Sequence, residues 1–141
     1  MKTVKILWVA VLTVILVFLV SCGDGGLNYD RFLKLLSDNG FEYIEVSFDT
    51  DYSFLSVPRR PLLIGDEIIS VYEFQSERTM NTDAATISSD GYSIGNSSIS
   101  WIYPPYFFKD TRLIVNYVGE DREIINFLHK VFGRPFAGQG S

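Results

Sequence analysis

Apolar residues recur most regularly towards the C-terminal end, where Ile124, Ile125, Leu128, Val131 and Phe132 fall at i, i+1, i+4, i+7 and i+8. That spacing lines one side of an α-helix. Glu120, Asp121 and Glu123 load its first turn with acid, and Gly133 followed by Pro135 stops it, which predicts a closing helix that ends at Phe132. A second helix is predicted over Tyr29–Asp38, with Asn28 as its cap, Asp30 at its positive end, Phe32, Leu33, Leu35 and Leu36 as its apolar stripe, and Asn39-Gly40 beyond it. A third, with the narrowest apolar face, is predicted from Glu77 to Ile87, capped by Ser76 and carrying Met80, Ala84 and Ile87 at helical spacing.

Elsewhere the period shortens to two. Phe41 to Phe48 alternates as a strand, with Ile44, Val46 and Phe48 on one face and Tyr43, Glu45 and Ser47 on the other, one face core and the other wetter. Phe54–Val57 reads as a short edge strand, and Pro58-Arg59-Arg60-Pro61 as a solvated turn, since proline cannot donate to a sheet ladder. Leu62–Ile64 and Glu67–Phe74 form a hairpin across Gly65-Asp66. Ser88–Gly91 is a loop, Ile99–Tyr103 a strand broken by Pro104-Pro105, and Leu113–Val118 a strand apolar on both faces, hence central. Phe136–Ser141 reads as a surface tail. The order predicts an α+β fold: an antiparallel sheet of about five strands with helices mainly on one face, partly ferredoxin-like from Glu67 to Phe132.

One stretch has neither period. Ile6 to Val20 is a continuous apolar run with a single Thr, preceded by Lys2 and Lys5. This is the pattern of a secretory leader, and the run is short of the ~20 residues that a membrane-crossing helix needs. It closes on Leu19-Val20-Ser21-Cys22, which resembles the lipobox of bacterial lipoproteins. Leu19 stands where a plain cleaved leader wants a small residue. The resemblance implies loss of the leader, acyl chains such as palmitate on Cys22, and a place on the extracytoplasmic face of a bacterial cell membrane. The layout expected is then a signal peptide (1–21), a lipidated Cys with a short glycine-rich tether (22–27), one α+β domain (28–134) and a C-terminal tail (135–141).

Removal of residues 1–21 from the 141 leaves 120, enough for one domain with a core of its own. Lys2 and Lys5 depart with the leader, so ten basic and 17 acidic residues remain, a formal balance of −7. Nucleic acid as a partner and direct attraction to anionic lipid both call for a basic face, and this balance argues against them. Cys22 is the sole cysteine; once acylated it leaves no thiol for a disulfide, a metal or nucleophilic work, and stability falls to the aromatics, 8 Tyr and the ten of the 11 Phe that remain once Phe18 leaves with the leader.

The search for catalytic groups is mostly negative. His129 is the only histidine and reads as a flank of the closing helix, without a Ser or Cys partner. Asp49-Thr50-Asp51-Tyr52-Ser53 imitates the start of a calcium loop, then fails at Phe54, where glycine is needed, and at Arg60, where the bidentate Glu belongs. Ser37-Asp38-Asn39 lacks its companion β-lactamase motifs. No cofactor and no metal are expected.

The segment Trp101 to Lys109 holds five aromatics, Trp101, Tyr103, Tyr106, Phe107 and Phe108, around Pro104-Pro105. Alternation does not bury all five in one core, so they are the candidate binding surface, with cover for the sheet end as the plainer alternative. Ser56-Val57-Pro58, Val71-Tyr72-Glu73-Phe74, Ala84-Ala85-Thr86-Ile87-Ser88, Asp90-Gly91, Trp101-Ile102-Tyr103-Pro104-Pro105, Leu113-Ile114-Val115 and Tyr117-Val118-Gly119 together resemble a group of small bacterial lipoproteins with no assigned activity. Members of that group tend to carry His after the Pro-Pro pair, where this chain has Tyr106, so no acid–base or metal role carries over to that position. The resemblance implies a lipid anchor and a single domain. The expectation is a lipid-anchored, non-catalytic binding or interaction module for a protein or apolar ligand. Its rivals are a small envelope hydrolase using carboxylates such as Asp49, Asp51 or Asp110, and a structural subunit of a membrane complex.

Overall fold

The computed structural model describes residues 25–47 and 53–141. The leader, Cys22, Phe48 and the Asp49–Tyr52 part of the calcium-like turn lie outside the described residues. The element order is α1 (Tyr29–Asp38), β1 (Ile44–Glu45), β2 (Arg60–Ile64), β3 (Glu67–Glu73), α2 (Glu77–Ala84), β4 (Ser93–Ile94), β5 (Ser97–Ser98), β6 (Pro105–Asp110), β7 (Leu113–Val118), α3 (Arg122–Phe132) and β8 (Ala137–Gly138). The fold is α+β: six strands form one antiparallel sheet in the order β1-β2-β3-β7-β6-β8, and β4 and β5 form a small separate hairpin. Among the described residues no helix is long and apolar enough to cross a membrane.

Side-chain caps hold the helices: Asn28, as predicted, on α1, and on α3 Asp121, which the sequence placed inside the first turn. Asn28 accepts a hydrogen bond from Arg31 N at 2.9 Å, and Asp121 accepts from Glu123 N at 2.8 Å and Ile124 N at 3.1 Å, which satisfies donors that a helix start leaves open. α1 and α3 lie on one face of the sheet, where Phe32, Leu36, Ile124, Phe127 and Leu128 pack with Leu62, Ile69, Val71, Phe108, Val115 and Tyr117. Each large side chain so buried is worth about 1.5–3 kcal/mol relative to exposure. α2 lies on the opposite face, where Met80 and Ala84 join Tyr72, Phe74, Phe107 and Ile114 in a second, smaller core. β7 feeds both cores by strict alternation, as expected of a central strand.

β3, α2 and β6 form a split crossover unit, with β7 inserted between the two strands it links. The ferredoxin-like expectation is met to that extent. It departs where α2 and α3 take opposite faces and where β2, from the preceding hairpin, flanks β3.

Several sequence expectations need correction. The strand expected over Phe41–Phe48 pairs only at Ile44–Glu45, and burial does not follow its alternation: Ile44 is 65% exposed and Val46 half-buried, while Phe41 and Tyr43 pack on the α1/α3 core and Glu45 and Ser47 of the same set are exposed. Phe41 meets Phe127 at 5.0 Å between ring centroids, so the larger aromatic set wins the core over the aliphatic one. Phe54–Val57 is an irregular bend rather than a strand, fixed by Ser53 Oγ donating to the Val57 carbonyl at 2.6 Å.

Arg60 and Pro61 are not a solvated turn but the first residues of β2. The Pro61 carbonyl accepts from Val46 N at 3.1 Å, so proline occupies the side of β2 where β1 has already ended. The Arg60 guanidinium lies 3.5 Å over the Tyr29 ring and 3.4 Å from Glu73, which also accepts from Tyr29 N at 3.1 Å. Helix α2 stops three residues before the predicted Ile87, because Ile87 forms a bridge to Ile94.

Ile99–Tyr103 is not a strand; the strand begins at Pro105, a first position where a missing N–H costs no ladder bond. The expected tail instead returns to the sheet. Ala137–Gly138 pairs with β6, Phe136 N donates to the Phe107 carbonyl at 2.8 Å, and Gly138 N donates to the Ser89 carbonyl at 2.8 Å.

Candidate binding cleft

Among the described residues, helix α2 and the β4–β5 hairpin cover only one end of their face of the sheet. At the other end, alternation along β3 and β7 presents Ile68, Ser70, Asn116 and Val118 to an open cleft of about 490 Å³. Its rim is Phe54, Arg59 and the Ser100–Tyr103 segment, with Asp66 and Glu67 at the β2–β3 turn. Ile102 is 90% exposed, Tyr103 49% and Phe54 39%, so three large apolar or amphipathic side chains stand in water around the opening.

The polar centre of the floor is built by register. Ser70 and Asn116 face each other across β3 and β7, and they are the buried polar residues among the described ones. Ser70 Oγ accepts from Arg59 Nε at 2.8 Å, and Asn116 Nδ2 donates to the Tyr106 carbonyl at 3.3 Å. Tyr72 closes the inner end of the floor; burial raises its phenol above the ordinary value and the nearby Arg59 charge opposes that rise, so it remains a neutral hydroxyl at physiological pH. The hydroxyl of Ser70 is paired with a guanidinium, a group that takes no proton. The arrangement offers apolar walls and a few fixed polar atoms on rigid strands, which is the make-up of a binding site.

The structure brings only part of the predicted aromatic surface here. Trp101 and Tyr103 line the cleft, and Trp101 is fixed by its indole N–H, which donates to the Gly91 carbonyl at 2.8 Å. Tyr106 points to the other face of the sheet, near-parallel to Phe108 at 6.4 Å. Phe107 is buried in the α2 core, edge-on to Trp101 at 6.3 Å. Phe108 is buried under α3 against Phe132 at 5.8 Å and His129 at 5.4 Å. His129 thus flanks the core through Phe108.

Ile102, Phe54, Arg59, Ser70 and Asn116 complete the cleft and were not singled out from sequence. The one available signal was that Ser70 and Asn116 interrupt otherwise apolar strands. Of the acids proposed for hydrolysis, Asp49 and Asp51 lie outside the described residues, and Asp110 is exposed at the end of β6, where it accepts from Thr111 Oγ1 at 2.8 Å. Among the described residues no group of three His, Cys, Asp or Glu side chains converges as a metal site. Compared with known proteins, the chain matches no family model, no curated protein and no solved structure.

Proposed function

We propose that the chain is a lipid-anchored binding module of a bacterial cell envelope, held to the membrane through Cys22, and that its ligand occupies the cleft beside Trp101–Tyr103. One observation carries the reading: among the described residues, a stretch of sheet face that no helix covers is ringed by solvent-exposed Phe54, Ile102 and Tyr103. Exposed large side chains around a concave floor are characteristic of interaction sites, because they cost solvation until a partner covers them. The polar pair Ser70 and Asn116 supports a ligand with both an apolar face and hydrogen-bonding groups. The acidic balance of the domain favours a neutral or cationic one.

A photo-crosslinking amino acid in place of Ile102 tests this in producing cells, with the same probe at Ile44 as control, since both positions are exposed and neither holds the core. The expected result is an adduct at position 102 that position 44 does not yield and that Tyr103→Ala weakens. Matching adducts at the two positions, or none at either, removes the cleft as the ligand site.

A further inference from the structure

We infer that the groove between α1 and α3, lined by Arg31, Lys34 and Lys130, is the side of the domain that rests on anionic phospholipid headgroups, so that the cleft opens away from the membrane. This rests on the reading of Cys22 as the lipidated residue and adds an orientation to it.

The chain enters the domain at this groove. Gly25 is one of its lining residues, Arg31 Nη1 donates to the Gly26 carbonyl at 3.1 Å, and the buried Leu27 donates its N–H to Thr111 Oγ1 at 3.4 Å. Cys22 precedes Gly25 by three residues, and an extended chain gains at most ~3.6 Å per residue, so the anchor lies within about 11 Å of the groove whatever path it takes. That upper bound is about one and a half Debye lengths at physiological salt, so the groove and the headgroups feel each other's charge, screened but not abolished.

Charge favours the same side. The groove, of about 450 Å³, holds Arg31, Lys34 and Lys130 against Asp38 and Asp110, a balance of +1. The rest of the mature chain carries seven basic and fifteen acidic residues, a balance of −8. A body so charged, tied at this groove within a few residues of an anionic surface, settles with the basic groove inward. Lys34 is 2.6 Å from Asp38 and Lys130 2.9 Å from Asn39, both on the surface, so both ammonium groups are within reach of a phosphate. The acidic domain as a whole still stands off the bilayer; only this groove leans on it. The cleft lies on the opposite face of the sheet and at the opposite strand ends, with Glu67 and Val118 on its lining where the groove has Asp110.

The mature chain has its own reporters: three lysines, Lys34, Lys109 and Lys130, and one tryptophan, Trp101. Lys109 lies on the α2 side, donating to Asn81 Oδ1 at 2.8 Å. The full-length product, purified from the membranes of producing cells, is first weighed to show acylated Cys22. It is then placed in vesicles of phosphatidylcholine, with or without phosphatidylglycerol, and treated with a water-soluble amine reagent. Phosphatidylglycerol should slow labelling of Lys34 and Lys130 by about threefold or more relative to Lys109, and high salt should reverse this. Spin-labelled headgroups should leave Trp101 emission unquenched. Equal slowing of all three lysines, greater slowing at Lys109, or quenching of Trp101 overturns the orientation in an acylated product. A bare sulfur or a retained leader overturns the anchor itself and the orientation with it.

Discussion

Tyr29 and Tyr117 bury their rings in the α1/α3 core while their hydroxyls reach carboxylates, Glu45 at 3.0 Å and Glu67 at 2.9 Å. Burial, then the hydrogen bond to Glu45 and its charge, push the Tyr29 phenol up to about 12; burial and Glu67 push Tyr117 up as well, although a bond from Asp121 N opposes the rise. In the unfolded chain both titrate near 10. The fold therefore favours the neutral phenols, and their contribution is complete below pH ~10 and lost as pH rises through the folded values. Unfolding free energy should be level from neutrality to pH ~9 and fall above pH ~10, and Tyr29→Phe, which keeps the ring, should make that fall shallower. Denaturant titrations across pH measure it; an equal slope in wild type, Tyr29→Phe and Tyr117→Phe would contradict the assignment. Gly138 offers a second test, since its φ is +89° and an added Cβ would collide with the Pro105 carbonyl. Gly138→Ala should cost about 1–3 kcal/mol in the denaturant midpoint. A midpoint unchanged from wild type would mean that β8 is not held as described.

Among the elements, those whose signals are local were read closely. α1 and α3 follow from a cap, an apolar stripe and a stop in consecutive residues, and the β2–β3 hairpin from Gly65-Asp66, where Gly65 takes φ +60°. β1 shows where local reading fails. Its alternation offers two apolar sets, and only contact with α3 on the far side of the chain decides that Phe41 and Tyr43 go inward. Phe41→Ala should therefore destabilise by about 2 kcal/mol or more, whereas Ile44→Ser should stay within about 0.5 kcal/mol. Chemical unfolding of the two variants distinguishes the faces, and the reverse ranking would place the aliphatic set in the core. The Pro104-Pro105 pair misled in a similar way: it marks the entry to β6, not the end of a strand at Tyr103.

For the molecule as a whole, β8 closes one edge of the sheet and places Ala137 over the α2 core. Ending the chain at Pro135 should expose the β6 edge and part of Phe107, giving a domain that associates at concentrations where the full chain is monomeric. Light scattering and sedimentation read this, and an unchanged monomer would show that the edge needs no cover. The candidate site belongs to the same scale. The aromatic richness of residues 101–108 was visible in sequence, but its division between an open cleft and two cores was not. Trp101 and Tyr103 lie in a loop, whereas Tyr106, Phe107 and Phe108 belong to a paired strand whose alternation sends neighbours to opposite faces. By itself, the sequence determined the three helices, the β2–β3 hairpin, the central β7 strand and the α+β class, because each rests on periodicity, capping and turn chemistry within a dozen residues. Only the tertiary structure decided the faces of β1, the return of the C-terminus as β8 and the meeting of Ser70 with Asn116, because register and burial arise from contacts between residues far apart in the chain.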